Sequence, residues 1–274
     1  MSTNLRTIFF VSDSTGITVE KLGHSLLSQF PDINFQTVSL RYIDSKQKAE
    51  NLRVEIEGAA KKTGRPPIIF STLVEPKLRE IVRTDVAVLL DLFEIFIGLL
   101  EVPLNQKATP TAGHAHYVAE PDKYMARMDA VNYALRYDDG LGVGESGYAQ
   151  ADVILLGVSR CGKTPVCLYL AMQYGIFAAN YPLVDEDLQT TALPASLRAF
   201  KPKLFALTIE PLRLQKIRTR RQTGEEYAKI VQCRREVAQA ETLFAENQLA
   251  MLDTSTISIE EIATQILMQL HLNR

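Results

Sequence analysis

Residues 157–164, Gly157-Val158-Ser159-Arg160-Cys161-Gly162-Lys163-Thr164, have the form G-x-x-x-x-G-K-[ST]. Each fixed position has a physical use. The glycines let the backbone turn tightly, so that successive N–H groups face one anion. The lysine ammonium reaches terminal phosphates, and the threonine hydroxyl ligates Mg²⁺. A helix starting at the same point aims the positive end of its dipole there. The flanks suit the motif, with the apolar run ADVILLG before it and amphipathic KTPVCLYLAMQYG after it. Pro165 falls just inside that helix, where its missing N–H costs little. The bland alternative is a glycine-rich strand-to-helix turn, with Cys161 a small loop residue.

Phosphoryl transfer needs charge neutralisation, a metal and a group that orients the nucleophile. Asp185 and Asp187, in NYPLVDEDL, follow the next strand. They suit a water-mediated hold on Mg²⁺ or acceptance of a proton from an attacking hydroxyl. Asp187 suits a helix cap as well. Lys216, Arg218, Arg220 and Arg221 precede the turn-like QTGEE and fit either a mobile lid over transferring phosphate or solvated cations at a helix end. Arg234 and Arg235 read as surface. Ser12-Asp13-Ser14-Thr15-Gly16 follows the first strand and fits either an anion-binding turn or a plain capping turn. His114 and His116 stand two apart with no third ligand at metal spacing, so zinc is not expected there, while binding or catalysis stays open. His24 reads as a packing residue.

The elements that must position these residues alternate strand and helix. TIFFVSD, NFQTVSLRYI, PPIIFSTLV and DVAVLLDL read as strands, separated by amphipathic helices over 19–30 and 45–64 and a short helix in PKLREIVRT. Such alternation implies a parallel sheet covered by helices, with ligands at the carboxyl ends of the strands. In DKYMARMDAVNYALRY, Tyr124, Met128, Val131 and Leu135 recur at near-helical spacing and are expected in the core. Four glycines between Gly140 and Gly147 mark a boundary. After it the pattern restarts with ADVILLG, FAANY, KLFALTI and LAMLDTS as strands, and Ser258 and Glu261 have capping-box spacing at the last helix. The expectation is an N-terminal parallel-sheet α/β domain over 1–145 and a C-terminal P-loop kinase-like α/β domain over 146–274. No internal repeat is legible.

Composition excludes several classes. A formal charge of −2 gives no global field favouring nucleic acid or an anionic membrane. Three cysteines, with no C-x-x-C, argue against a disulfide framework and for a reducing compartment. The N-terminus lacks the apolar core of a signal peptide. The most apolar window, 86–104, carries Asp91, Glu94 and Glu101, which are too costly for a membrane span, and reads as a buried strand followed by a helix. A soluble, cytoplasmic protein is expected, and a homo-oligomer is compatible with the chain.

The blocks FFVSDSTGITVEKLGHSLLSQF, MDAVNYALRYDDG, LLGVSRCGKTPVCLYLA, NYPLVDEDL, YAKIVQCRREVAQAETLF and LDTSTISIEEIA resemble the phosphoenolpyruvate synthase regulatory proteins, within the pyruvate, phosphate/water dikinase regulatory protein family. The resemblance covers nearly the whole chain. It implies a bifunctional serine/threonine kinase and phosphorylase whose partner is phosphoenolpyruvate synthase (pyruvate, water dikinase). ADP, rather than ATP, phosphorylates a target threonine and inactivates the partner. Inorganic phosphate removes the group as pyrophosphate and reactivates it. Mg²⁺ is the expected metal. The family's ADP loop falls on Gly157 to Thr164, with Lys163 on the terminal phosphate and Thr164 on the metal. Its acidic motif falls on Asp185-Glu186-Asp187, where Glu186 replaces an aliphatic residue of the plant form. Asp185 or Asp187 would then orient or deprotonate the acceptor. Cys161 stands where many members have a small hydroxyl residue, which the backbone cradle tolerates. A small-molecule kinase of shikimate or nucleoside-monophosphate type would share the loop but not explain the upstream domain. A non-enzymatic nucleotide-gated binding protein would tolerate substitution of both aspartates.

Overall fold

A computed structural model of the chain describes residues 5–109, 121–138, 145–221 and 227–272. Contacts divide the chain into two units, Met1–Tyr117 and Val118–Arg274.

The first unit runs β1 (Leu5–Val11), α1 (Ile17–Leu27), β2 (Asn34–Leu40), α2 (Lys46–Thr63), β3 (Ile68–Ser71), α3 (Pro76–Val82), β4 (Val88–Asp91) and α4 (Leu92–Leu104). Its strands are parallel in the order β2-β1-β3-β4. Successive strand side chains point to opposite faces, and β1 uses both. Phe9 and Val11 join Leu52, Ile56, Leu78 and Val82 of α2 and α3. Ile8 and Phe10 join Val19, Leu27 and Leu92 of α1 and α4. Burial on both faces is why IFFV is a continuous apolar run rather than an alternating one. The window 86–104 is a strand followed by a helix, as expected. Its strand is an edge strand and only partly covered, and α4 leaves Ile95, Phe96 and Leu99 exposed.

The second unit runs α5 (Pro121–Arg136), α6 (Glu145–Gln150), β5 (Val153–Val158), α7 (Lys163–Tyr174), β6 (Ala178–Leu183), α8 (Asp185–Leu188), a 3-10 stretch (Ala195–Lys203), β7 (Leu204–Thr208), α9 (Pro211–Arg220), α10 (Ile230–Glu246), β8 (Met251–Asp253) and α11 (Ile259–Gln269). Its parallel order, β6-β5-β7-β8, repeats that of the first unit. No sequence repeat accompanies this, because the topology demands apolar strands and crossover helices rather than particular residues. In both sheets the first strand lies between the second and third, so a topological switch point opens at its carboxyl end. All of β5 is buried. Helix α11 begins at the expected capping box: Glu261 N donates to Ser258 Oγ at 3.2 Å, and Ser258 N donates to Glu261 Oε2 at 2.7 Å.

Two details depart from the sequence expectation. The division between units lies upstream of the 145/146 boundary, so α5 belongs with the second sheet. The helix also presents a different face. Tyr124 and Leu135 are exposed and Met128 and Val131 half-buried, whereas Ala130, Tyr133 and Ala134 are buried. Small alanines let α5 lie close against α7, and close approach outweighs the larger apolar stripe. The Tyr133 hydroxyl donates to Gly147 O at 2.9 Å, tying α6 to α5. Residues 139–144 of the glycine-rich stretch, His114 and His116 lie outside the described residues.

Candidate active site

Strand β5 delivers residues 157–164 to the switch point, and α7 starts at Lys163 with Gly162 as its N-cap. Arg160 and Gly162 both have left-handed backbones, at φ 75° and 100°. Such alternation turns successive amides to one side, forming an anion-binding concavity. Glycine takes this conformation freely, whereas at Arg160 it costs on the order of 1 kcal/mol. Gly157 is required for a different reason. A Cβ there would strike the Leu207 carbonyl oxygen of β7 and lie 2.8 Å from Cys161 Sγ.

The loop's carbonyls are tied from several directions. Lys163 Nζ donates to Gly157 O at 2.9 Å and Val158 O at 2.8 Å, and the side chain is buried. Thr254 Oγ1, just past β8, donates to Cys161 O at 2.9 Å. Arg218 Nη2, from α9, donates to Ser159 O at 3.2 Å. With these oxygens engaged, an anion would be received by the loop N–H groups at the head of α7.

A cavity of about 590 Å³ opens over the loop, lined by Asp138, Ser159, Arg160, Lys163, Thr164, Asn180 and Arg221 among polar residues. Pro165, Leu168 and Ile217 supply apolar wall. That volume is of the size that holds a nucleotide-sized ligand. On one wall three side chains close a triangle. Thr164 Oγ1 donates to Asp138 Oδ1 at 2.8 Å. Asn180 Nδ2 lies 2.6 Å from Asp138 Oδ1 and 3.0 Å from Thr164 Oγ1. Asp138 reaches this position because Asn180 N, on β6, donates to Tyr137 O at 3.3 Å, fixing the chain just past α5.

The expected acids are placed differently. Asp185 and Asp187 sit beyond the carboxyl end of β6, but neither lines the cavity. Asp187 accepts from Val184 N at 3.2 Å and from the Tyr181 hydroxyl at 3.3 Å, which is the capping role. Burial first, and then the Asp187 carboxylate, push the Tyr181 phenol up to about 12, so it remains a donor. Asp185 has a side chain 69% exposed, with Arg235 Nη2 at 3.7 Å. Arg218 is fully buried and is no lid. It pairs with Glu236 Oε2 at 2.6 Å, donates to Tyr227 O at 3.1 Å and stacks on the Tyr227 ring at 3.8 Å. Burial opposes its charge, but Glu236 more than offsets this and its pKa is raised. Of the basic run, Arg221 lines the cavity, and QTGEE lies outside the described residues. In the first unit, Ser12 is buried and accepts from Ser14 N at 3.1 Å, Asp13 accepts from Val74 N at 2.8 Å, and Gly16 caps α1 with a left-handed backbone. Burial raises the Cys167 thiol, which leaves it unreactive. Among the described residues no helix is long and apolar enough to cross a membrane.

Comparison with known proteins matches residues 8–267 to the family described as kinase/pyrophosphorylase. The chain belongs to that family. Among curated relatives it is 46% identical over 262 residues to a Legionella pneumophila (strain Paris) protein, covering 96% of each chain. It is 48% identical over 269 residues to a Bordetella avium protein, covering 98% of this chain and 97% of the relative. Both relatives carry the name "Putative phosphoenolpyruvate synthase regulatory protein". In this kinase/pyrophosphorylase chain, Asp138 and Asn180 are the polar cavity residues that the sequence does not single out. Asn180 had a signal of its own, as the polar residue inside the otherwise apolar strand FAANY. Asp138 had a weaker one, as an acid where a helix meets a glycine-rich stretch.

Proposed function

We propose that the chain transfers the terminal phosphoryl group of ADP to a threonine of phosphoenolpyruvate synthase, inactivating it, and removes that group with inorganic phosphate. The observation that carries this is the glycine-lysine loop opening on a cavity of about 590 Å³, in a chain whose family pairs kinase with pyrophosphorylase. The names of the relatives supply the target.

In the forward direction the threonine oxygen bonds to the β-phosphorus and the bond to the bridging oxygen breaks, so AMP leaves and the hydroxyl proton passes to a base. In reverse, an oxygen of inorganic phosphate bonds to the phosphothreonine phosphorus. The threonine oxygen leaves and takes up a proton, and pyrophosphate forms. Lys163 exchanges its carbonyl partners for phosphate oxygens, and the loop amides hold the same group. A divalent cation at Thr164 would supply further neutralisation of the transferring charge. Leu168 and Ile217 give the base an apolar wall. Arg221 is placed to meet phosphate charge at the cavity wall. Asp185, exposed and free of a capping role, is the acid that meets the incoming threonine, while Asp187 holds the turn that presents it.

The test is loss of phosphoenolpyruvate synthase activity on incubation with the chain and either ADP or ATP. ADP should inactivate and ATP should not. Asp185→Asn should slow inactivation by on the order of 100-fold while ADP binding stays within twofold. Inactivation with ATP alone would contradict the donor assignment, and a wild-type rate for Asp185→Asn would remove its role.

A further inference from the structure

We propose that Asp138 is the protein carboxylate of a divalent-cation site whose other protein ligand is the Thr164 hydroxyl, with Asn180 holding the carboxylate in place. The proposal rests on the nucleotide reading of the cavity and adds the residue that reading lacks.

Three observations carry it. The first is an absence at the usual place. In P-loop NTPases the metal carboxylate comes from an acid at the end of a neighbouring strand. Here β7 is hydrogen-bonded to β5 and ends in Thr208, whose hydroxyl donates to Glu241 at 2.7 Å. The next acid, Glu210, caps α9, and its N–H donates to Ser255 Oγ at 2.6 Å. Neither Glu241 nor Glu210 lines the cavity, and nor do Asp185 and Asp187 beyond β6, the other strand paired with β5.

The second is the position of Asp138. Its Oδ1 lies 2.8 Å from Thr164 Oγ1, the hydroxyl that the motif assigns to the metal. Backbone and side chain of Asn180 both fix it there, through Tyr137 O at 3.3 Å and Oδ1 at 2.6 Å. The Thr164–Asp138 hydrogen bond brings together the two side chains that would hold a cation.

The third is charge. Among the described residues lining the cavity, Lys163, Arg160 and Arg221 are cations and Asp138 is the one acid. A lone carboxylate beside a diphosphate repels it. A divalent cation between them turns that repulsion into two attractions. Among the described residues no group of three or more His, Cys, Asp or Glu forms a metal cage. That suits Mg²⁺, which takes one or two protein ligands and fills its shell with phosphate oxygens and water.

The experiment compares ADP affinity of the full chain by calorimetry, in Mg²⁺ and in EDTA, for the wild type, Asp138→Asn and Thr164→Val. Both variants keep side-chain shape. Mg²⁺ should tighten ADP binding to the wild type by about tenfold. Asp138→Asn should bind ADP in EDTA within about twofold of the wild type, or slightly better, and gain less than about twofold from Mg²⁺. Thr164→Val, which lacks only the hydroxyl, should lose the Mg²⁺ effect too, so the site stays testable if one variant misfolds. Retention of the wild-type Mg²⁺ effect by Asp138→Asn, with ADP still bound, would overturn the role of Asp138 alone. No ADP binding by the wild type in either buffer would overturn the nucleotide reading and this site with it.

Discussion

Lys163→Ala should reduce the rate of ADP-dependent inactivation by about 10³-fold, at the upper end of what removing one preorganised donor to a developing charge costs. The expectation follows from where the ammonium sits. It is buried, and it donates to Gly157 O, Val158 O and, at 3.8 Å, Cys161 Sγ of its own loop. A buried cation held by neutral carbonyls gains strongly when a phosphate dianion arrives, so its charge is poised for the ligand. Removing it leaves those two carbonyls without that donor and the cavity with a weaker positive field. ADP affinity should fall as well, though less than the rate, because the transition state carries more charge at the transferred group than the ground state. Steady-state inactivation kinetics together with direct ADP binding separate the two effects. Unchanged kinetics would remove the loop from the chemistry. Loss of reversal by inorganic phosphate in the same variant would indicate one site for both directions.

Arg218→Ala should lower the stability of the second unit by about 3–5 kcal/mol, the range for breaking a buried ion pair by deleting one partner. The residue is fully buried and joins α9 to Glu236 of α10, to Tyr227 and to the Ser159 carbonyl of the loop. Deletion leaves the Glu236 carboxylate in the interior with Gln232 Nε2, at 2.7 Å, as its remaining side-chain donor among the described residues. For a unit of this size the loss corresponds to a fall in Tm of roughly 10 °C, measurable by thermal denaturation. The paired change Arg218→Met with Glu236→Leu should recover much of that stability, because it removes both charges together. It should not recover full transfer activity, since Ser159 O still lacks its donor. Equal stability of Arg218→Ala and wild type would contradict a buried strut.

What the sequence made legible is what short-range pattern encodes. The β5–loop–α7 segment announces itself within some twenty residues, and the Ser258–Glu261 cap within four. The two parallel sheets follow from the alternation of apolar runs and amphipathic helices. What stayed hidden depends on partners distant in the chain. Asp138 meets Thr164 and Asn180 across 26 and 42 positions, and no spacing rule connects them. Arg218 fits a lid or a solvated helix-end cation in sequence, and nothing there marks Glu236 as its partner until α9 and α10 are packed together. Helix α5 was expected to bury its Met and aromatic stripe. A seam of Ala130 and Ala134 won, because small residues permit the closer approach to α7. The acids of NYPLVDEDL were visible, but a capping residue and a catalytic one look the same in sequence. The hydrogen bonds of Asp187 show the capping role, while Asp185 is left exposed and neither acid lines the cavity.

In the proposed reaction the β-phosphoryl group of ADP moves to a protein threonine and leaves again as pyrophosphate. Its most direct test is to incubate the chain and phosphoenolpyruvate synthase with ADP labelled in the β-phosphate and, separately, in the α-phosphate. The β-label should appear on a threonine of the synthase and the α-label in AMP. Addition of unlabelled inorganic phosphate should then release the β-label as pyrophosphate. Label on the synthase from the α-position, or β-label carried to a small metabolite with the synthase unlabelled, would contradict it.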